Sequence, residues 1–250
     1  MPAIAAVTFD FHDTLVSSAS WLHLEIHTLP AEVLARLAQA GALPPSAGTP
    51  DIAARAVAEY EAIREEAKAS GREVTAAAGV GRVLTALNLD TAVTPAQVDA
   101  AIEAVERACL DDAALVPGVR EVLGGLQGTG TRLAVVSSAA YPPFVHWGLA
   151  RYALTGYFPV VATSGDTGYY KSDPRLYAWA LARMGVAPAQ AVHVGDHPRF
   201  DVQGAQAAGM RAVLFTRGGT HPPAADCRPD ATVAHMADLP TVLADLAAAG

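Results

Sequence analysis

The stretch Val7-Thr8-Phe9-Asp10-Phe11-His12-Asp13-Thr14-Leu15-Val16 limits the fold more than any other part of this chain. A short β-type apolar run, Ile4 to Phe9, ends on a carboxylate, with a second polar side chain two residues on and a threonine four residues on. In an open parallel sheet ligands bind beyond the carboxyl ends of the strands, and Asp10 is expected at such an end.

Partner strands are predicted only from residue 116 onward. Leu133 to Val136, Val160-Val161, Ala191 to Val194 and Ala212 to Phe215 read as strands, with a short edge strand at 231–234. Helices are expected at 119–127, 142–152, 174–184, 201–208 and 239–248, with Gly128 and Gly130 ending the first and Asp201 doubling as the N-cap of the fourth. Strands alternating with helices of this length predict a parallel α/β sheet, Rossmann-like in architecture.

No strand pattern interrupts residues 22–110. Helices are expected at 31–40, 52–69, 74–88 and 95–110. Pro44, Pro45, Gly48 and Pro50 break the first; Asp51 is the expected N-cap of the second and Gly71 its stop. Thr94-Pro95 opens the last with a cap followed by proline at the first helical position. The chain thus divides into a core of residues 1–16 and 114–250 and an all-helical cap subdomain, 17–113, inserted over the strand ends.

Composition narrows the function. With 52% hydrophobic and 17% charged residues, the 250-residue chain can bury a sizeable core. Its 17 basic and 25 acidic residues give a formal charge of -8, which argues against a nucleic-acid or anionic-membrane surface. A phosphorylated small molecule is still allowed, because a metal and a lysine can reverse the field inside one cleft. Cys109 and Cys227 show neither a disulfide framework nor metal-ligand spacing and read as free thiols. The N-terminus lacks a secretory pattern, and no window approaches the roughly 18 apolar residues of a membrane span, so a cytoplasmic protein is expected.

Four points fall just after predicted strands: Asp10; Ser137, closing Leu133-Ala-Val-Val-Ser137; Lys171, in Lys171-Ser-Asp-Pro174; and Asp196 with Asp201, in Gly195-Asp196-His-Pro-Arg-Phe-Asp201. In order and spacing they resemble the four motifs of the haloacid dehalogenase-like hydrolases, over residues 1–16 and roughly 114–235. One position departs from the usual pattern: His12 stands where most phosphatases of that family carry a second aspartate.

The resemblance implies a Mg²⁺-dependent phosphatase of a small phosphorylated metabolite. Asp10 would attack phosphorus and form an aspartyl-phosphate, dividing one hard hydrolysis into two steps. Asp10, Asp196 and the backbone carbonyl of His12 would hold the ion, with Asp201 bound to it directly or through water. Ser137 and Lys171 would bond the phosphoryl oxygens. His12, with an ordinary pKa of about 6.5, would carry the proton that the missing aspartate normally moves; Asp13, one residue further along an extended chain, would point away.

Lesser candidates are His197 and Arg199 near a leaving group, His23 and His27 four apart at the cleft entrance, and Tyr60 and Arg82 as cap-facing types. Tyr141 and Trp147 read as packing residues. Two other readings stay open. One is a dehalogenase-like or carbon–phosphorus-cleaving relative, to which the departure at His12 points. The other is a non-catalytic binding module.

Overall fold

The computed structural model describes residues 4–219 and 227–248; parts of the expected core at 1–3, 220–226 and 249–250 lie outside the described residues. In chain order the elements are β1 (Ala6–Phe9), β2 (Val16–Ser17), α1 (Ala19–His23), a π-helical turn (Leu24–Thr28), α2 (Leu29–Gln39), α3 (Pro50–Ser70), α4 (Ala76–Ala86), α5 (Pro95–Ala108) and β3 (Ala114–Leu115). There follow α6 (Val119–Gly128), β4 (Arg132–Ser137), α7 (Pro142–Arg151), β5 (Val160–Thr163), α8 (Ser164–Thr167), α9 (Arg175–Met184) and β6 (Ala191–Gly195). A second π-helical turn (Pro198–Gln203), α10 (Gly204–Ala207), β7 (Arg211–Phe215), β8 (Ala231–Val233) and α11 (Leu239–Ala248) complete the chain.

The main sheet is parallel throughout, in the order β5-β4-β1-β6-β7-β8. Its central strands, such as β1 and β6, are buried on both faces, as crossover helices require. Val7, Phe9, Leu133, Val135, Val192 and Val194 face one apolar cluster, while Ala6, Ala134, Val136, Ala191 and Leu214 face the other. After β5 the chain returns to the far side of β1, so the strand order reverses there. That crevice is the place where doubly wound sheets bind ligands.

The helices from α1 to α5 form an insert between β1 and the rest. Its two connecting strands pair as an antiparallel ribbon, β2 with β3, that the sequence pattern did not suggest. Ser18 caps α1 and also donates to Asp112 on the returning chain at 2.6 Å, tying the two crossings together. Trp21 stacks on Phe144 of α7 at 4.6 Å, and Phe11 meets both rings edge-on. The insert also bonds the core loops: Tyr170 donates its backbone N–H to Gly71 at 3.0 Å and Glu73 donates to Gly168 at 3.0 Å.

Two expected caps are corrected. Pro50 is the first residue of α3 and Thr49 its cap, so Asp51 lies inside the first turn, where its charge favours the helix dipole. Asp201 likewise sits inside the π-helical turn that His197 caps. Gly71 ends α3 with φ +69°, as expected, and the Thr94 capping box opens α5. No helix among the described residues is long and apolar enough to cross a membrane.

Candidate active site

Asp10 follows β1, Ser137 closes β4 and Asp196 follows β6, so three adjacent strands deliver three polar side chains to one edge of the sheet. The Asp10 N–H donates to the Val194 carbonyl at 2.8 Å, extending the β1–β6 pairing to the reactive end. Lys171 arrives from the loop after α8, and Asp201 from the π-helical turn after β6. All six predicted residues, Asp10, His12, Ser137, Lys171, Asp196 and Asp201, line one cavity of about 470 Å³.

Its floor is a charge network. Lys171, 3% exposed, donates to Asp10 and to Asp201 Oδ1. Asp201 Oδ1 also meets His193 Nε2 at 3.0 Å, and Asp201 Oδ2 accepts the His197 N–H at 2.8 Å. His193 Nδ1 lies 2.8 Å from the Thr8 hydroxyl on the neighbouring strand. Burial disfavours a charged His193, so a neutral ring donating from Nε2 to Asp201 and accepting from Thr8 satisfies every atom. His193 was read only as part of a strand; a polar ring in an apolar run was the available signal. Gly195 is required here, because a Cβ would overlap the Asp201 carboxylate. At Gly204 a Cβ would come 2.7 Å from the Lys171 carbonyl.

One oxygen from each of Asp10, Asp196 and Asp201 lies within 4.8 Å of the others. Burial raises Asp10 to about 7 against the pull of Lys171, and the Asp201 charge adds to the rise. Burial, then the charges of Asp10 and Asp201, push Asp196 up to about 9. Asp201 goes the other way: Lys171 and His193 outweigh its burial and hold it well below the usual carboxylate range. One lysine therefore compensates one acid well, and the protein alone leaves the other two under strain. This all-oxygen donor set is what a hard divalent cation prefers.

His12 Nε2 lies 2.9 Å from the Ser18 carbonyl, and the ring sits 5.3 Å from that of Trp21. Burial lowers its pKa, so the ring is neutral at pH 7. Donation from Nε2 to Ser18 leaves Nδ1 as the basic nitrogen, 3.6 Å from Asp13. The expectation that Asp13 points away is corrected. Asp13 has φ +58°, so strand alternation does not apply to it; it lines the same cavity and pairs with Arg217.

The insert supplies residues that the sequence did not single out: Trp21, Glu25, Arg64 and Lys68 all line the cavity. Arg64 donates to Glu73 at 2.6 Å and to the Val74 carbonyl at 3.1 Å, and lies 3.7 Å from Glu25. Glu25 accepts the Ala140 N–H, just past β4, at 2.6 Å. Lys68 is bonded to Glu65 at 2.7 Å, an exposed pair three residues apart on one helix, worth roughly 0.2–0.5 kcal/mol. Tyr60 is buried away from the cavity, and Arg82 pairs with Glu66 on the surface. His23 and His27 line a neighbouring groove instead, where His27 meets Glu61. His197 lines the cavity and Arg199 does not. Tyr141 and Trp147 pack edge to face, as expected.

Burial raises Glu25 to about 7, against the pull of Arg64 and the Ala140 N–H. A carboxyl whose folded value lies above its ordinary 4.5 adds stability below that value and loses it as pH rises through about 7. Glutamine does not titrate. The thermal midpoint of Glu25→Gln should therefore gain on wild type between about pH 5 and about pH 8; a gap that does not change with pH would contradict the buried, strained carboxyl.

Acids, a hydroxyl and a buried lysine at the carboxyl edge of a parallel sheet, beneath a helical insert, define an α/β enzyme of the doubly wound class. The chain belongs to the haloacid dehalogenase-like hydrolases, whose family profile matches residues 4–209. It is similar to a phosphoserine phosphatase of Thermus thermophilus, 36% identical over 125 residues, covering 50% of this chain and 49% of that protein. A phosphoglycolate phosphatase of Escherichia coli is 36% identical over 126 residues, again 50% and 49% of the two chains. The chain thus spans about half the length of the curated relatives it matches. Among solved structures, a 2-haloacid dehalogenase from Pseudomonas syringae superposes with a TM-score of 0.71 at 30% identity, over 97% of this chain and 99% of that one.

Proposed function

We propose that this hydrolase is a Mg²⁺-dependent phosphomonoesterase of small metabolites, with the insert acting as its cap. The observation that carries this reading is the trio Asp10, Asp196 and Asp201, in which Asp196 receives no hydrogen bond from the described residues and is pushed up to about 9. Asp10, Asp196 and the His12 carbonyl are the proposed ligands of the ion. Asp201 already accepts from Lys171, His193 and His197, which favours contact through water. A bound Mg²⁺ supplies the positive charge that lets two carboxylates and a phosphoryl group share the site.

Asp10 attacks phosphorus in line and is later freed by water. Lys171 and Ser137 bond the phosphoryl oxygens, where their charge and dipole count most in the transition state. His12 acts through Nδ1 in its protonated form, the minority form at pH 7: it donates that proton to the leaving oxygen and regains one from the attacking water. Alkoxides need that proton and aryl oxides do not. Loss of the imidazole in His12→Ala should lower turnover of an alkyl phosphate by about 10²–10⁴-fold and of an aryl phosphate far less. Equal losses would remove His12 from proton transfer.

The direct test is phosphate release from p-nitrophenyl phosphate in millimolar Mg²⁺ and in EDTA. Turnover that EDTA abolishes is expected. The 2-haloacid dehalogenase likeness, together with a histidine where an acid would serve phosphate chemistry, favours a second reading in which Asp10 attacks carbon. Chloride release from 2-chloropropionate that persists in EDTA, without phosphate release, would establish that reading instead.

A further inference from the structure

Three charged side chains of the insert reach the cavity: Glu25, Arg64 and Lys68. Two of them belong to one buried charge group, in which Arg64 faces Glu73 at 2.6 Å and Glu25 at 3.7 Å. Arg64 is 2% exposed and spends Nη1 on Glu73 and the Val74 carbonyl, while Glu25 Oε1 holds the Ala140 N–H. Lys68 differs. Its ammonium is bonded to Glu65, whose side chain is 71% exposed, so water can replace that partner at little cost.

The backbone of Lys68 is nonetheless fixed beside the reactive end. Its carbonyl accepts from Ser172 Oγ at 2.8 Å, one residue past Lys171, and α3 stops three residues later at Gly71. The walls between the insert and the carboxylates include Trp21, Leu22, Ile26 and Phe200, which contribute mainly apolar surface. Lys171, held between Asp10 and Asp201 on the cavity floor, belongs to the ester end of the ligand and leaves the insert side of the cavity to another cation.

We infer that the cavity takes a phosphoester whose leaving group carries a carboxylate, and that Lys68 leaves Glu65 to bind it. The inference rests on the phosphatase reading for the ester end of the ligand. A carboxylate inside the cavity meets the ammonium with far less water around it than Glu65 does, so the exchange favours the ligand. Lys68 is then a specificity-determining residue, selecting acid phosphoesters over neutral ones.

The test uses 2-phosphoglycolate and ethyl phosphate, which match in length and differ in the carboxylate. Both are titrated calorimetrically, in Mg²⁺, into the Asp10→Asn protein, so that binding is read without turnover. The carboxylate ester should bind at least tenfold more tightly. Adding Lys68→Met should bring the two affinities together, and Lys68→Arg should restore the difference. Equal affinities in the Asp10→Asn protein, no binding of either ester, or a preference that survives Lys68→Met would each overturn the inference. Phosphate release by wild type is measured beside it. If neither ester is hydrolysed while the Lys68-dependent difference stands, the phosphatase reading fails and the carboxylate site remains.

Discussion

Asp10→Asn is expected to lower phosphate release by at least ~10³-fold while leaving the protein folded and at least as stable as wild type. The amide keeps the size and shape of the carboxylate, and the backbone bond from Asp10 to Val194 is untouched. What disappears is the carboxylate oxygen proposed to attack phosphorus. Stability should hold because Asp10 is a strained carboxylate: burial and the neighbouring Asp201 charge push it up to about 7 even though Lys171 pulls it down. Removing one acid leaves Lys171 to Asp201 alone, which satisfies both. The two readouts therefore separate, with turnover collapsing and the thermal midpoint steady or higher. Retention of more than a tenth of wild-type turnover would remove Asp10 from the chemistry.

Lys171→Met should do the reverse, damaging stability as well as activity. Its ammonium is buried between two carboxylates, and methionine replaces the stem without the charge. Breaking a buried pair by removing one partner costs about 3–5 kcal/mol, because the remaining charge is uncompensated. At about 2–4 °C per kcal/mol for a chain of this size, the midpoint should fall by roughly 6–20 °C. The effect has a definite pH sign. Lys171 helps hold Asp201 below its ordinary value of 3.8, so the stability this pair contributes is present above that value and lost as pH falls through the depressed one. In the variant, protonation of Asp10 and Asp201 relieves the penalty instead. The gap in thermal midpoint should narrow from about pH 8 to about pH 4. A gap that stayed constant, or a midpoint equal to wild type, would mean that the lysine is not the counter-charge of these acids.

Much of the cavity floor was legible in the amino-acid order because each of its parts is local. A carboxylate directly after an apolar run, as at Asp10 and Asp196, is carried to a strand end whatever the strand's neighbours are. Gly195 stands in the motif beside Asp196, but its reason is tertiary: a Cβ there would overlap the Asp201 carboxylate. The parallel sheet and the helical insert were legible for the same reason, since strand and helix periods are properties of short windows. Phase and pairing were not. The π-helical turn at Leu24–Thr28 carries an extra residue per turn, so ordinary helical periodicity could not place Glu25 in the cavity wall. Asp13 escaped the alternation argument because its backbone is left-handed. Thr8 and His193 meet only because β1 and β6 are neighbours, 185 residues apart in sequence. Arg64 and Lys68 lie one helical turn apart, yet one is locked by Glu73 and the other faces the cavity with a partner in solvent. Local order determined which residue types stand at the ends of the strands. Only the tertiary structure decided which charges are compensated and which are free to meet a substrate, because compensation depends on burial and on partners brought together by folding.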